Sequence, residues 1–194
     1  PYHMKNGTMA GDIKIWDANG DGEINSLDRI RQDLTDIPQI VYGVNLGITW
    51  KQFDLSLLFQ GQAKVINTIQ ETWVDPSSGG AGNLMQWWTE DMWTPENTDG
   101  TKPRLGTPNK INDNTFTNIN AAFFKLKNAE IGYTLPVAVR EKIGVANARV
   151  YLSGTNLFSF DHMRGMGIDP EATGSGYGGW ALNPQRLINL GVNV

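Results

Sequence analysis

Between residues 40 and 61 the chain alternates apolar and polar positions over a longer run than anywhere else in its length. Ile40, Tyr42, Val44, Leu46, Ile48 and Trp50 share one parity, against Val41, Gly43, Asn45, Gly47 and Thr49 on the other. After Lys51 and Gln52 the pattern resumes with Phe53, Leu55, Leu57 and Phe59 against Asp54, Ser56, Leu58 and Gln60. Successive side chains of a strand point to opposite faces, so this period of two predicts two strands, each with one greasy face. The two-residue link between them predicts a hairpin. Strands of about 10 residues suit a tilted bilayer crossing, and aromatics at their ends suit the girdles of a transmembrane barrel. A soluble β-sandwich gives the same alternation, but its strands run nearer to about 5–6 residues.

The rest of the chain shows further long strands between unequal loops. Residues 63–121 hold no sustained alternation and are rich in Asn, Thr, Gly and Pro, with a Trp cluster. Structureless connections beyond about 15 residues are uncommon in compact soluble domains. Alternation returns at Phe124 and Leu126, then at Ala129, Ile131, Tyr133 and Leu135, with a change of parity between the two runs. One extra residue near Lys127–Asn128, a β-bulge, would keep both runs on one face. Residues 136–144 predict a short helical turn, with Pro136 at its start and Gly144 at its end. Residues 149–160 predict another strand, with Val150, Leu152 and Phe158 on one parity, and residues 161–184 a glycine-rich loop. Ile188, Leu190, Val192 and Val194 mark the last strand. That makes about five spanning strands, with short and long connections in alternation, the rhythm of an outer-membrane barrel.

Composition narrows the classes. The chain has 194 residues and a formal net charge of −4. That balance lacks the basic face a nucleic-acid binder needs. No segment approaches the roughly 20 apolar residues of a membrane helix, so any lipid contact is made by strands, whose outward face alone is apolar. Cysteine is absent, which excludes disulfides and thiolate chemistry. Pro1-Tyr2-His3-Met4-Lys5 has no signal-peptide pattern, so the chain is expected to be a piece of something longer.

One motif carries metal chemistry. Asp17, Asn19, Asp21, Gly22 and Asp28 match positions 1, 3, 5, 6 and 12 of an EF-hand-type calcium loop. Ca²⁺ prefers hard oxygens, which the Asp17, Asn19 and Asp21 side chains supply, with the Glu23 carbonyl at position 7 and Asp28 closing the loop. Asp28 is shorter than the usual Glu, as in dockerin-type loops, so altered coordination is expected. The competing reading is a plain turn, since Asp, Asn and Gly are also common turn formers. A single loop argues for a stabilising clip over a calcium sensor.

At this point the residues resemble a known family. Gly11-Asp12-Ile13-Lys14 leading into the Asp17 loop, residues 42–46, residues 53–61, Trp93-Thr94-Pro95-Glu96-Asn97 with Pro103-Arg104-Leu105, residues 124–136, residues 150–160, residues 167–171 and residues 184–193 are similar, in collinear order, to the C-terminal part of SusC/RagA-type TonB-dependent outer-membrane transporters. The resemblance implies an all-β fold, the last strands of an antiparallel transmembrane barrel of about 22 strands with a plugged lumen and long extracellular loops. It also implies import of oligosaccharides or peptides across the outer membrane of a Gram-negative bacterium, beneath a SusD-like surface lipoprotein that lids the barrel. Energy would come from TonB, which contacts N-terminal parts outside these residues. Family members usually end in an aromatic shortly beyond the position of Val194. On this topology residues 1–37 form an extracellular loop with the calcium motif, 38–62 a barrel hairpin, and 63–121 a long extracellular loop. Residues 122–160 supply two barrel strands around a periplasmic turn at 135–146, residues 161–184 an extracellular loop, and residues 185–194 the final strand.

Other features carry little chemistry. Trp87 and Trp88 could stack on sugar rings, although packing is the commoner role of Trp, and Trp93 lies inside a family motif. Gly174, Gly176 and Gly179 formally satisfy G-x-G-x-x-G but follow no strand and open no helix, so no dinucleotide site is expected. His3 and His162 are the only histidines, and no nucleophile motif accompanies them. Glu90 and Asp91 read as solvated carboxylates, and Glu130, on the polar parity, as a lumen-facing charge. No catalytic set is expected, and the protein reads as a transporter segment and not as an enzyme. The alternative is a soluble secreted β-sandwich, a carbohydrate-binding module with a calcium loop.

Overall fold

The computed structural model describes residues 9–69, 84–106, 115–171 and 184–194, and the backbone of residues 2–3. Its centre is one antiparallel five-stranded sheet. In spatial and chain order it runs β3 (Ile40–Trp50), β4 (Phe53–Ala63), β7 (Phe123–Thr134), β8 (Arg149–Asp161) and β9 (Leu187–Asn193). Two small ladders accompany it. One pairs β1 (Tyr2–His3) with β2 (Ile15–Trp16), and the other pairs β5 (Ile66–Thr68) with β6 (Asn118–Asn120).

The hairpin of β3 and β4 pairs without interruption from Trp50↔Phe53 to Ile40↔Ala63, and Lys51 takes φ 54° at the link. A short helix, α1 (Gln86–Thr89), lies between β5 and β6, and between β7 and β8 lies α2 (Val137–Ile143), preceded by Pro136 and closed by Gly144 at φ 72°, the left-handed stop that glycine adopts without steric cost. At about 3.3 Å per residue, the eleven-residue strands are about 36 Å long, which at a tilt near 45° covers the roughly 25 Å apolar band of a membrane barrel.

Two bulges hold the face. Leu58 pairs Asn128 while Phe59 pairs Leu126, so Lys127 is the extra residue of β7 against β4. Against β7, β8 carries a further irregularity, because Leu126 pairs Phe158 and Asn128 pairs Thr155. Asn156 sits there at φ 52°, a conformation Asn tolerates better than most side chains. With these insertions the apolar residues stay in register across all five strands. One row reads Ile48, Leu55, Ile131, Leu152, Leu190, and the next Leu46, Leu57, Ala129, Gly154, Ile188.

No second sheet packs on this apolar surface among the described residues, and Leu190 is 76% and Ile188 68% exposed. That corrects the β-sandwich alternative, in which two such faces bury each other. The compact core lies elsewhere. Ile13, Val65, Ile69, Trp88, Ala121, Met163 and Ile168 cluster at the end of the sheet opposite Lys51–Gln52 and α2. They come from five stretches outside the large sheet, with backbone bonds between stretches such as Ala121 N–H to Val65 O, 3.1 Å, and Ile69 N–H to Thr117 O, 3.0 Å. Far from being featureless, the described parts of residues 63–121 and 161–184 thus build a packed cap on the sheet. The Gly174–Gly179 motif lies outside the described residues.

Candidate functional site

The sheet separates two chemistries. Its apolar face carries rings at both ends. Phe53 and Tyr133 lie 4.7 Å apart near the Lys51–Gln52 turn, while Phe59 and Phe124 (5.3 Å), Tyr42 and Phe124 (6.3 Å), and Phe158 and Phe160 (5.4 Å) gather toward the cap. Tyr42 lies directly over Gly61 of the neighbouring strand, where an added Cβ would sit 2.3 Å from the ring, and its hydroxyl donates to Phe123 O at 3.1 Å.

The opposite face is polar and ionic. Arg149 donates Nε–H to Asp54 Oδ1 at 3.0 Å and Nη2–H to Glu130 Oε1 at 2.7 Å, linking three strands. Its guanidinium occupies the space above Gly132, where a Cβ would meet Nη2 at 2.3 Å. Glu130 is therefore on the polar side, as its parity predicts. Nearer the cap, Lys125 is buried and its Nζ donates to Asp169 (2.5 and 2.7 Å) and to Glu171 (2.9 Å). Lys127, the bulge residue, donates to the same Glu171 at 2.7 and 2.9 Å. The bulge thus also places a second lysine against one carboxylate. Burial pushes the Glu171 carboxyl up, but hydrogen bonds from Lys127 and then Lys125 outweigh it, and the group sits below the usual glutamate value.

The predicted calcium residues form one closed ring. Asp17, only 1% exposed, accepts Gly20 N–H at 2.6 Å and Gly22 N–H at 2.9 Å. Gly20 and Gly22 sit at φ 78° and 86°, so the sharp turns need glycine. Asn19 Oδ1 accepts Asp21 N–H, and Asp21 Oδ1 accepts Glu23 N–H. Asp28 folds back, accepting Ala18 N–H at 2.9 Å and Asn25 N–H at 2.8 Å, while Asn25 caps the turn at Ser26–Asp28. The Asn25 N–H holds the Asp28 carboxyl below its usual value against desolvation, helped by the Ala18 N–H. The oxygen donors are of the kind a hard divalent cation such as Ca²⁺ prefers. In this structure the Asp17, Asn19 and Asp21 oxygens accept the loop's own N–H groups, and among the described residues no three acidic or imidazole groups are gathered into a ready-made metal cluster.

Trp87, Trp88 and Trp93 are packing elements. Trp88 is buried in the cap core, edge-on to Trp87 at 5.5 Å and to Phe116 at 5.8 Å. Trp93 covers Gly11, where a Cβ would be 2.4 Å from the ring. Asp91 accepts a hydrogen bond from the Thr101 hydroxyl and lies 3.9 Å from Lys102, and Glu90 accepts from Gln86 at 2.7 Å. Sequence reasoning missed the Lys125–Asp169–Glu171–Lys127 cluster. The unusual density of charge at Lys125 and Lys127 was its one local signal.

With this geometry in view, comparison with known proteins is specific. No protein-family model matches the chain. It is 34% identical over 162 residues to TonB-dependent receptor P3 of Formosa agariphila, covering 80% of this chain and 15% of that receptor. It is 29% identical over 208 residues of alignment to TonB-dependent receptor P26 of the same organism, covering 98% of this chain and 20% of that one. Among solved structures it is similar to the RagAB peptide transporter, at 27% identity and a TM-score of 0.63 over 84% of this chain and 18% of the other. It is also similar to the RagAB peptide importer in its open-open state, at 28% identity and a TM-score of 0.57 over 78% and 16%. The chain spans a fifth or less of the length of these relatives. In sequence and in fold, it is a segment of the β-barrel wall of a SusC/RagA-type TonB-dependent receptor.

Proposed function

We propose that the receptor to which this segment belongs imports oligosaccharides or peptides across the outer membrane, driven through TonB and lidded by a SusD-like lipoprotein. The observation that carries this reading is the two-sided sheet: an uncovered apolar face, continuous across five strands, backed by a face of Asp54, Glu130, Arg149 and Lys125. Strands span lipid in this way, with hydrocarbon on one side and a polar lumen on the other. On this reading the cap faces outward, where the lid and substrate are met, and α2 with the Lys51–Gln52 turn faces the periplasm. The polar face suits passage of a polar cargo.

Within the same reading the 17–28 ring holds one Ca²⁺ through Asp17, Asn19, Asp21, the Glu23 carbonyl and Asp28, and clips the segment ahead of β3. The wrap of the backbone around the Asp17 carboxylate supports it.

The wall assignment is tested by adjacent lysines in the full-length receptor. Leu57→Lys puts a charge on the apolar face at mid-strand and is expected to cost about 2–4 kcal/mol of barrel stability. Ser56→Lys, one residue away on the polar face, should leave the folded receptor in the outer membrane near its normal level. Equal loss for both variants would refute the assignment. Import is tested by uptake of labelled oligosaccharides and peptides by cells carrying the receptor. A signal that survives a protonophore would exclude TonB-driven import.

A further inference from the structure

The apolar face ends toward the cap in a hollow of about 480 Å³. Its floor is the ring group Tyr42, Phe124 and Phe160, all on the outward parity, and Phe160 is 67% exposed. Continuing the register, the next outward positions are small or polar. Ala122 leaves the space open, His162 stands at its edge, and Arg164 follows in the short helical turn Arg164–Met166. The outward side of the hollow is therefore apolar below, with the Arg164 cation above. Among the described residues no carboxylate pairs with Arg164. Gln62, Phe123, Ser159 and Asp161 line the hollow from the inward parity, and the Asp161 carboxylate is held on that side, where it accepts the Ser159 hydroxyl and the Met163 N–H.

An exposed guanidinium just past an aromatic belt, on the surface that faces hydrocarbon, has a complementary group at the same height. That group is the phosphate of a membrane lipid whose acyl chain lies on the rings below. Arginine matches phosphate in a planar, two-pronged geometry, and His162 adds a second donor. A soluble phosphate finds no use for the apolar floor, and an uncharged lipid leaves the cation unanswered. We propose that this hollow is a binding site for an anionic, phosphate-bearing lipid of the outer leaflet, with Arg164 and His162 on the headgroup and Tyr42, Phe124 and Phe160 on the chain. The proposal rests on the membrane-wall reading.

The test uses the full-length receptor in neutral detergent, titrated with phosphatidic acid, with the matching diacylglycerol and with inorganic phosphate, adducts being counted by native mass spectrometry. Saturable binding of phosphatidic acid is expected, with diacylglycerol and inorganic phosphate far weaker. Arg164→Gln should weaken phosphatidic acid about fivefold, the worth of one interfacial cation, and Arg164→Lys should retain most of it. Phe160→Ala, which removes part of the floor and keeps the charge, should weaken it as well. Heat-modifiable mobility on gels reports whether each variant is a folded barrel. If wild-type receptor is a folded barrel and Arg164→Gln binds phosphatidic acid unchanged, or inorganic phosphate binds equally well, the lipid site is refuted while the wall reading stands. If the receptor never fractionates with the outer membrane, the wall reading itself fails and takes the lipid site with it.

Discussion

Replacing Lys125 with Met should release the Met163–Glu171 segment from the barrel wall. Lys125 has 3% side-chain exposure and answers two carboxylates, Asp169 at 2.5 Å and Glu171 at 2.9 Å. Together with Lys127 the cluster is two cations against two anions, so the substitution leaves a net negative charge in a mostly enclosed place. Removing one partner of a buried ion pair costs about 3–5 kcal/mol. The lower end applies here, because Asp169 and Glu171 keep 15% and 20% exposure and water can reach them. About 3 kcal/mol corresponds to roughly a hundredfold more of the opened segment. Amide hydrogen exchange over residues 163–171 of the full-length receptor reads that population directly, because local opening sets the rate. Lys127→Met is the matched comparison: its side chain is 28% exposed and serves only Glu171, so about 1 kcal/mol or less is expected. Adding Asp169→Asn to Lys125→Met removes one of the two negative charges of the cluster and should recover part of the loss. Exchange that is no faster in Lys125→Met than in Lys127→Met would refute the reasoning.

Three further outcomes follow from the same geometry. Because the folded-state Glu171 carboxyl is depressed by Lys127 and Lys125 despite burial, its share of the anchoring is complete above the usual glutamate range. That share is lost as pH falls through the lowered value, so the protection of the 163–171 amides, taken relative to their intrinsic pH-dependent exchange rate, should fall only in acid; a loss of protection between neutral and mildly alkaline pH would contradict this. Asp17→Ala and Asp21→Ala should each abolish Ca²⁺ binding by calorimetry. In the native receptor, Ca²⁺ at a hundred times its dissociation constant should add about 2.7 kcal/mol to the stability of the 9–37 segment against proteolysis. Protection that is independent of Ca²⁺ would remove the cation from that role. Gly132→Val should displace Arg149, whose Nη2 lies where the new side chain starts, and cost about 1–2 kcal/mol in urea unfolding. Combined with Arg149→Met its effect should largely vanish, and full additivity would show that the two do not act through one contact.

How much of this was legible beforehand depends on how local each feature is. The two faces of β3 and β4 follow from residue parity alone, because the pleat fixes side-chain direction with no reference to a partner. The bulge at Lys127 could be read because an apolar phase jump between Leu126 and Ala129 has few other remedies. The α2 boundaries at Pro136 and Gly144 rest on the backbone limits of those two residues. The twelve-residue spacing from Asp17 to Asp28 likewise returns as a closed ring.

Other features depend on segments distant in sequence. The second bulge, at Asn156, leaves the outward parity of Val150, Leu152 and Phe158 untouched, so the pattern carries no trace of it. The cap core draws Ile13, Val65, Trp88 and Met163 from separate stretches whose own patterns are irregular. Asp169 is 44 residues from the Lys125 it neutralises, and Asp54 is 95 from Arg149. Parity and turn chemistry are written into each short stretch, because they arise from the backbone of that stretch. Which charges meet, which rings share a hollow and which loops close over one another were decided only by register across strands, which no stretch contains by itself.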